Sequence, residues 1–378
     1  MRMLVKDIIT EFSVRNKEGK AYPVYSVTNS QGFCKDYFGK EVASKDKSSY
    51  KIVPYGFFAY NPSRINVGSI DWQHCEENVI VSPLYNVFEV NTSIAKIEYL
   101  SYYFKSRLVS DYINTFAKGT VRLNIPLSTL GDFPITVPPL SEQQRIVSGL
   151  DLLSSIIEKK KAQLKEYDQL AQSIFLDMFG DPVTNEKGWE VKTLRDVCNK
   201  ITDGTHDTPQ RLDKGVKFIT GKHIRPFIVD YDNSDYVSEE VHKEIYLRCN
   251  PEYGDVLYTN IGAGIGNAAI NIVEYEFSMK NVALLKLHKS IADGFFIEFY
   301  LNNDKIKSAI IENFSNGGAQ KFLSLKSIAK IPVSIPPLSL QLPFALKIEA
   351  IERQKALVQQ SITEAETLFN SRMDYYFN

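Results

Sequence analysis

One stretch of this chain occurs twice. Residues 138–179 read PPLSEQQRIVSGLDLLSSIIEKKKAQLKEYDQLAQSIFLDMF, and residues 336–377 read PPLSLQLPFALKIEAIERQKALVQQSITEAETLFNSRMDYYF. The copies start 198 positions apart and align without a gap. Solenoid repeats have periods of about 20–50 residues, so a repeat of this length calls for two similar halves instead. In the first copy Ile146, Leu150, Leu153, Ile157, Leu164, Tyr167, Ala171, Ile174 and Met178 recur on an alternating four-three spacing, interrupted by Lys160. In the second, Phe344, Ile348, Ile351, Val358, Ile362, Ala365, Phe369 and Tyr376 do the same, interrupted by Lys355 and Arg372. Sustained heptads predict a coiled-coil seam. After the first few residues only Gly149 and Pro343 disturb the helical pattern. A helix from Ser141 to Phe179 would be roughly 58 Å long. Its narrow apolar stripe needs a partner, and the other copy is the nearest one. The alternative is two amphipathic helices, each folded back on its own domain.

The remaining sequence fits between these repeats as globule, helix, globule, helix. The expected boundaries are 1–137, 138–180, 181–335 and 336–378. In the first globule, β-rich runs (YPVYSV at 22–27, KIVPYGFFAY at 51–60, NVIVSPLYNVFEV at 78–90) precede one helical pattern at 97–116. That pattern stops at Lys118-Gly119, and the double proline at 138 then marks entry to the long helix. Ser141 is a candidate N-cap, with Gln144 completing a capping box. The second globule repeats the order, with its helical pattern at 295–314 and its stop at Gly317-Gly318. LVKDI near the start is echoed by LRDV at 194–197. Between these landmarks the globules diverge: YNPSRINVGSI (60–70) stands in one, and DGTHDTP (203–209), GKHI (221–224) and GDVLYTNIGAGIGNAAI (254–270) in the other. The reading is a mixed α/β fold with an internal pseudo-twofold repeat, two unlike globules being carried on alike helices.

Composition narrows the function. A net charge of −1 over 378 residues is not that of a lone, non-specific DNA binder, so any DNA contact must come from local patches or from partners. Cys34, Cys75, Cys198 and Cys249 are scattered, as are the five histidines, and neither set has the spacing of a metal site or redox pair. They read as small buried thiols in a reducing cytosol. There is no signal-peptide pattern and no apolar run long enough to span a bilayer. No nucleoside triphosphate loop is present, and Gly262, Gly264 and Gly266 miss the dinucleotide fingerprint by one residue. Those glycines suit a tight strand-to-strand turn. The double prolines sit in VPPL and IPPL, without the Asn or Asp and the aromatic of an amino-methyltransferase motif. The expectation is therefore no catalytic residue, metal or bound cofactor in this chain.

Loop chemistry points to nucleic acid. Asn61, Arg64 and Asn66 cluster at a Pro-Ser turn, and Lys118, Thr120, Arg122 and Asn124 follow the first helical pattern. The second half has Thr205, His206, Thr208, Lys222, His223, Arg225, Asn260 and Asn267, then Gln320 and Lys321 after the glycine pair. Arg and Lys match guanine, Asn and Gln match adenine, and short hydroxyls match phosphate. These types recur at corresponding places in both halves. His74, beside Cys75, reads as structural.

The repeated PPLS-helix unit, with YNPSRINVGSI and DGTHDTP, resembles the specificity subunit of type I restriction–modification systems over nearly the whole chain. The second copy has Leu340-Gln341-Leu342 where the pattern has Glu-Gln-Gln. The resemblance implies two target recognition domains, each reading half of a split, asymmetric site in double-stranded DNA. It implies long antiparallel helices as the spacer between them. It also implies two modification (methyltransferase) subunits carrying S-adenosylmethionine, further restriction–translocation subunits, no membrane and a cytoplasmic location. Two rival readings stay open: a coiled-coil adaptor whose globules bind proteins, and an enzyme that acts alone.

Overall fold

The repeat folds as two helices of equal length, Leu140–Phe179 and Leu338–Phe377, in a computed structural model that describes residues 1–29, 31–35, 46–117, 124–317 and 321–378. Ser141 lies inside the first turn and is not its cap. The Gln144 side chain donates forward to Ser148 at 3.2 Å, so the expected capping box is not formed.

The helix starts are held instead by a glutamine present in both copies. Gln143 is fully buried; its Oε1 accepts from Lys96 N (2.7 Å) and its Nε2 donates to Ile94 O (2.9 Å) and Pro138 O (2.8 Å). Gln341, also fully buried, accepts from Asp293 N (2.9 Å) and donates to Ile291 O (3.0 Å) and Pro336 O (2.7 Å). One side chain thus satisfies three backbone groups that would otherwise be buried without partners. Glu142, which the second copy replaces with Leu340, only pairs with Arg145 on the surface.

The chain forms two compact units, Met1–Lys161 with Gln360–Asn378, and Ala162–Gln359. Each long helix therefore contributes one part to each unit. In the first unit Ile146, Val147 and Leu150 share a core with Met373 and Phe377. Arg145 sits over the Tyr376 ring and Lys161 pairs with Glu366, so the two helices run antiparallel there. In the second unit Phe175 and Phe179 pack their rings on Phe344, and Lys355 pairs with Asp168 at 2.8 Å, again antiparallel. Burial alone would disfavour the Lys355 charge, but Asp168 and Glu352 outweigh it and raise its pKa. The lysine that interrupts the apolar stripe is thus held by two carboxylates.

None of Ile146, Leu150, Leu153, Ile157, Leu164, Ile174, Ile348, Ile351, Val358, Ile362 and Phe369 is exposed. Near its C-terminal end, however, the first helix buries Ala171, Phe175 and Phe179 more deeply than Ile174 and Met178. There it packs on a globule as well as a helix, so a wider face is covered than a two-residue heptad stripe.

Each unit holds a four-stranded antiparallel sheet. In the first its order is Ile9–Glu11, Asn86–Val90, Phe58–Tyr60, Ile70–Trp72. In the second it is Cys198–Asp203, Ala283–Leu287, Val256–Tyr258, Ala268–Ile270. The hairpin register Phe58↔Trp72 recurs as Val256↔Ile270. A short strand pairs with the segment leading into each long helix: Arg2–Leu4 with Pro134–Thr136, and Glu190–Thr193 with Pro332–Ile335. The LVKDI/LRDV echo has a physical cause, since Asp7 accepts from Leu4 N and Asp196 from Thr193 N.

Each helical pattern after the sheet breaks in two: Ile97–Phe104 and Arg107–Ala117, then Gly294–Asn302 and Asp304–Phe314. The expected single helices overlooked Ser106 and Asn303, whose side chains accept from Val109 N and from Lys305 and Ile306 N and so start new helices. Cys34, Cys198 and Cys249 are buried as expected, but Cys75 is exposed. Burial pushes the Cys198 thiol up to about 12 and Cys249 to about 11. Among the described residues no helix is long and apolar enough to cross a membrane.

Candidate nucleic-acid interface

The candidate loops lie at the ends of the two sheets. In the first unit the chain leaves the strand Phe58–Tyr60 into a turn in which Asn61 Oδ1 accepts from Ser63 N (3.0 Å). A short 3-10 helix, Ile65–Val67, follows and ends on left-handed Gly68. A side chain at Gly68 would meet Asn29 at 2.3 Å, so both φ and space require glycine. Arg64 and Asn66 stand exposed on this turn, and Asn61 is half-buried. Ile125 N donates to Pro62 O, and the Tyr60 hydroxyl donates to Ile125 O, so the segment after residue 123 is fastened to the same turn. Lys118, Thr120 and Arg122 lie outside the described residues, as does Gln320 in the other half.

The second unit brings its candidates together from four segments. Asp203, at the end of its strand, is 4% exposed and anchors the DGTHDTP loop. Arg248 pairs with one of its oxygens (2.6 Å) and His206 Nε2 with the other (3.0 Å). His206 Nδ1 lies 2.9 Å from Asn281 Oδ1. Gly204 is obligatory, because a Cβ would lie 1.9 Å from Met279 O. Thr205 N donates to Met279 O, and Thr205 Oγ1 accepts from Asp207 N. Thr208 accepts from Lys280. The strand Val216–Thr220 runs parallel to Ser278–Lys280, with Thr220 beside Lys280. The turn Gly221–His223 follows at once and presents Lys222 to solvent. Gly221 approaches Thr259 and Ile261 of the glycine-rich hairpin loop, and Ile261 bridges to Phe322, beside exposed Lys321.

Two expected surface residues are buried instead. His223 is 3% exposed, and its Nδ1 accepts from Thr220 N at 2.9 Å. Burial, then the neighbouring Lys222, lowers its pKa, so the ring is neutral and its Nε2 carries the proton, without a partner among the described residues. Asn267 is 8% exposed; it donates to Ile224 O and accepts from Lys307, which fastens the hairpin loop to a helix. Both lie in loop-like sequence, but neighbouring loops fold over them. Asn260 is half-buried, with its Oδ1 unpartnered among the described residues.

The sequence reading missed Arg211, Arg248, Lys280 and Asn281. Asn281 adopts φ +51, a conformation Asn tolerates better than most residues, and this was the one local signal available. Lys280 and Arg211 join the site through strand pairing and an edge bridge, and Arg248 through its ion pair from the helix Glu239–Cys249. Arg211 and Lys222 both reach Asp235 Oδ2, at 2.7 and 3.0 Å, and Arg225 faces Asp230 at 3.6 Å. Burial would raise the Asp235 pKa, but Lys222 and Arg211 overcome it and hold the carboxyl below its usual range.

Comparison with known proteins bears on the family and the fold of the chain. The family model for the type I restriction modification DNA specificity domain matches residues 6–166 and again 186–367. The type I restriction enzyme MjaIX specificity subunit of Methanocaldococcus jannaschii is 26% identical over 64% of this chain and 59% of its own length. The putative MjaX specificity subunit of the same organism is 23% identical over 89% of this chain and 82% of its own length. The chain thus spans about three-fifths of the first relative and four-fifths of the second. A solved type I specificity subunit from M. genitalium superposes with a TM-score of 0.60 at 14% identity, covering 100% of this chain and 96% of that one. A chain from a structural study of assembly and conformational transition in a type I system gives 0.59 at 18%, covering 100% and 97%. At such identities the superpositions speak for the fold. With both halves of the chain matched by the same family model, this protein belongs to the type I restriction modification DNA specificity domain family and carries that domain twice.

Proposed function

We propose that the chain is the sequence-reading, non-catalytic subunit of a type I restriction–modification complex. Each unit reads one half of a split, asymmetric site in double-stranded DNA. Two modification subunits, which bind S-adenosylmethionine and methylate adenine, assemble on it, and restriction–translocation subunits join them. The observation that carries this reading is one sheet frame built twice, with the same hairpin register, ending in unlike polar loops. A common frame bearing different loops suits two different half-sites. The near-neutral net charge makes the partners contributors to affinity, since phosphate neutralisation dominates DNA binding.

The test is methylation mapping in cells that carry the gene with its modification partner. Arg64→Ala should relax or abolish recognition of one half-site and Lys222→Ala the other. If both variants leave the methylated sequence and the DNA affinity of the complex unchanged, the protein-binding adaptor is the better reading. Turnover by the purified chain alone would favour the lone enzyme.

A further inference from the structure

The two units differ in how their exposed cations are held. Among the described residues no carboxylate pairs with Arg64 in the first unit. In the second unit Arg211 and Lys222 converge on one oxygen of Asp235. The cations are open to solvent, at 44% and 56% side-chain exposure, while the carboxylate is largely covered at 23%. The arrangement is set by the sheet. Asp235 opposes Phe218 on the edge strand Asp235–Val237, Leu212 N donates to Tyr236 O and draws Arg211 to that edge, and Lys222 stands on the turn directly after Thr220. Three separate segments thus meet at one anion beside the candidate reading loops.

Resting on the function proposed above, we propose that Asp235 is a specificity-determining residue of the second unit: it keeps Arg211 and Lys222 from non-specific DNA and releases them only on the target. A cation that meets a phosphate must leave Asp235, and it leaves a covered anion near the DNA. On an arbitrary sequence nothing offsets that repulsion. On the target, close fit of the reading loops does, and both cations then engage. The cation side of each pair is open to solvent, so the exchange is accessible once the loops fit.

The experiment is a salt titration of DNA binding by the assembled complex, using the mapped target duplex and a duplex of unrelated sequence. For Asp235→Asn, the slope of log affinity against log salt on unrelated DNA should steepen by roughly 1.8, from two added phosphate contacts at about 0.9 each. The ratio of target to unrelated affinity should fall. The double variant Arg211→Gln, Lys222→Gln should weaken target binding and leave the unrelated-DNA slope as in wild type. It is informative even if Asp235→Asn folds poorly. An unchanged slope in a folded Asp235→Asn complex would mean that the ion pairs are only structural. Weaker target binding without a steeper slope would mean that Asp235 braces Arg211 for contact, and a shallower unrelated-DNA slope in the double variant would mean that both cations already sit on phosphate. Each of these overturns the proposal. Failure of the wild-type complex to distinguish the two duplexes would instead sink the function it rests on.

Discussion

Set side by side, the two units share what carries load and differ in what meets solvent. Strand order, hairpin register, the buried glutamine and the capped break between consecutive helices all recur. The second sheets do not. In the first unit Lys51–Pro54 pairs antiparallel with Asn78–Val81, beside a hairpin of Tyr25–Thr28 and Gly32–Lys35. In the second, Val216–Thr220 lies between an antiparallel and a parallel neighbour, and the helix Glu239–Cys249 packs on this sheet. The loops follow the same division: a turn bearing Arg64 and Asn66 in one, and a glycine-rich loop flanked by paired cations in the other. The glutamine that partners buried backbone groups at each helix start recurs in both units, whereas the loops that meet solvent differ.

The comparison can be broken most decisively at the glutamines. Gln143→Ala and Gln341→Ala each leave one N–H and two carbonyls without partners in a buried site. At about 1–3 kcal/mol per buried unsatisfied group, each should cost upwards of about 3 kcal/mol, measurable by urea unfolding. Hydrogen exchange should show the loss in the substituted unit. A large loss in one unit and none in the other would end the claim that the two helix starts are equivalent.

A smaller effect should separate the units at equivalent tyrosines. The Tyr60 hydroxyl donates to Ile125 O and accepts from Asn86 Nδ2, both at 2.9 Å. Tyr258 stands at the same place in the other hairpin, but Ala283 opposes it where Asn86 opposes Tyr60, and its hydroxyl has no partner among the described residues. Tyr60→Phe should therefore cost about 1–3 kcal/mol. Tyr258→Phe should be neutral or stabilising. Equal losses in urea midpoints would refute the distinction.

A further effect is one of pH. Glu298 and Asn302, on one face of the helix Gly294–Asn302, bond the outer edge of the strand Ala268–Ile270 in place of a further strand: Ile270 N donates to Glu298, and Ala268 N to Asn302. Ser101 holds the matching position in the first unit and donates to Asp71. Desolvation raises the Glu298 pKa from its ordinary 4.5 to about 8. A group whose folded pKa is raised supports the fold fully below its unfolded pKa and loses that support as pH rises through the folded one. The second unit should therefore lose stability between about pH 4.5 and 8. Glu298→Gln keeps an acceptor for Ile270 N and should flatten that slope. An identical pH profile for the variant would show that Glu298 does not titrate with the fold.

The duplicated Pro-Pro-Leu-Ser segments and their heptads announce two long helices, and alternating runs such as KIVPYGFFAY announce short strands. Both are local periodicities, written along the chain. Ser106 and Asn303 were legible in principle as caps, yet the apolar period running through them hid the break. The site was only half legible. Arg64, His206 and Lys222 advertise themselves in polar loops. By contrast, the burial of His223 and Asn267, and the meeting of Arg211 with Asp235, depend on which loops cover them and which strands pair.

By itself the sequence determined that this protein has two halves on one plan, where its long helices run, and which face of each is apolar, because covalent spacing alone sets which residues share a helix face. The tertiary structure alone decided that Gln143 and Gln341, rather than a cap at Ser141, hold the helix starts. It also decided that Arg211 and Lys222 of the candidate loops pair with Asp235. Those outcomes rest on hydrogen bonds and ion pairs between segments far apart in the chain, and no spacing along a sequence encodes them.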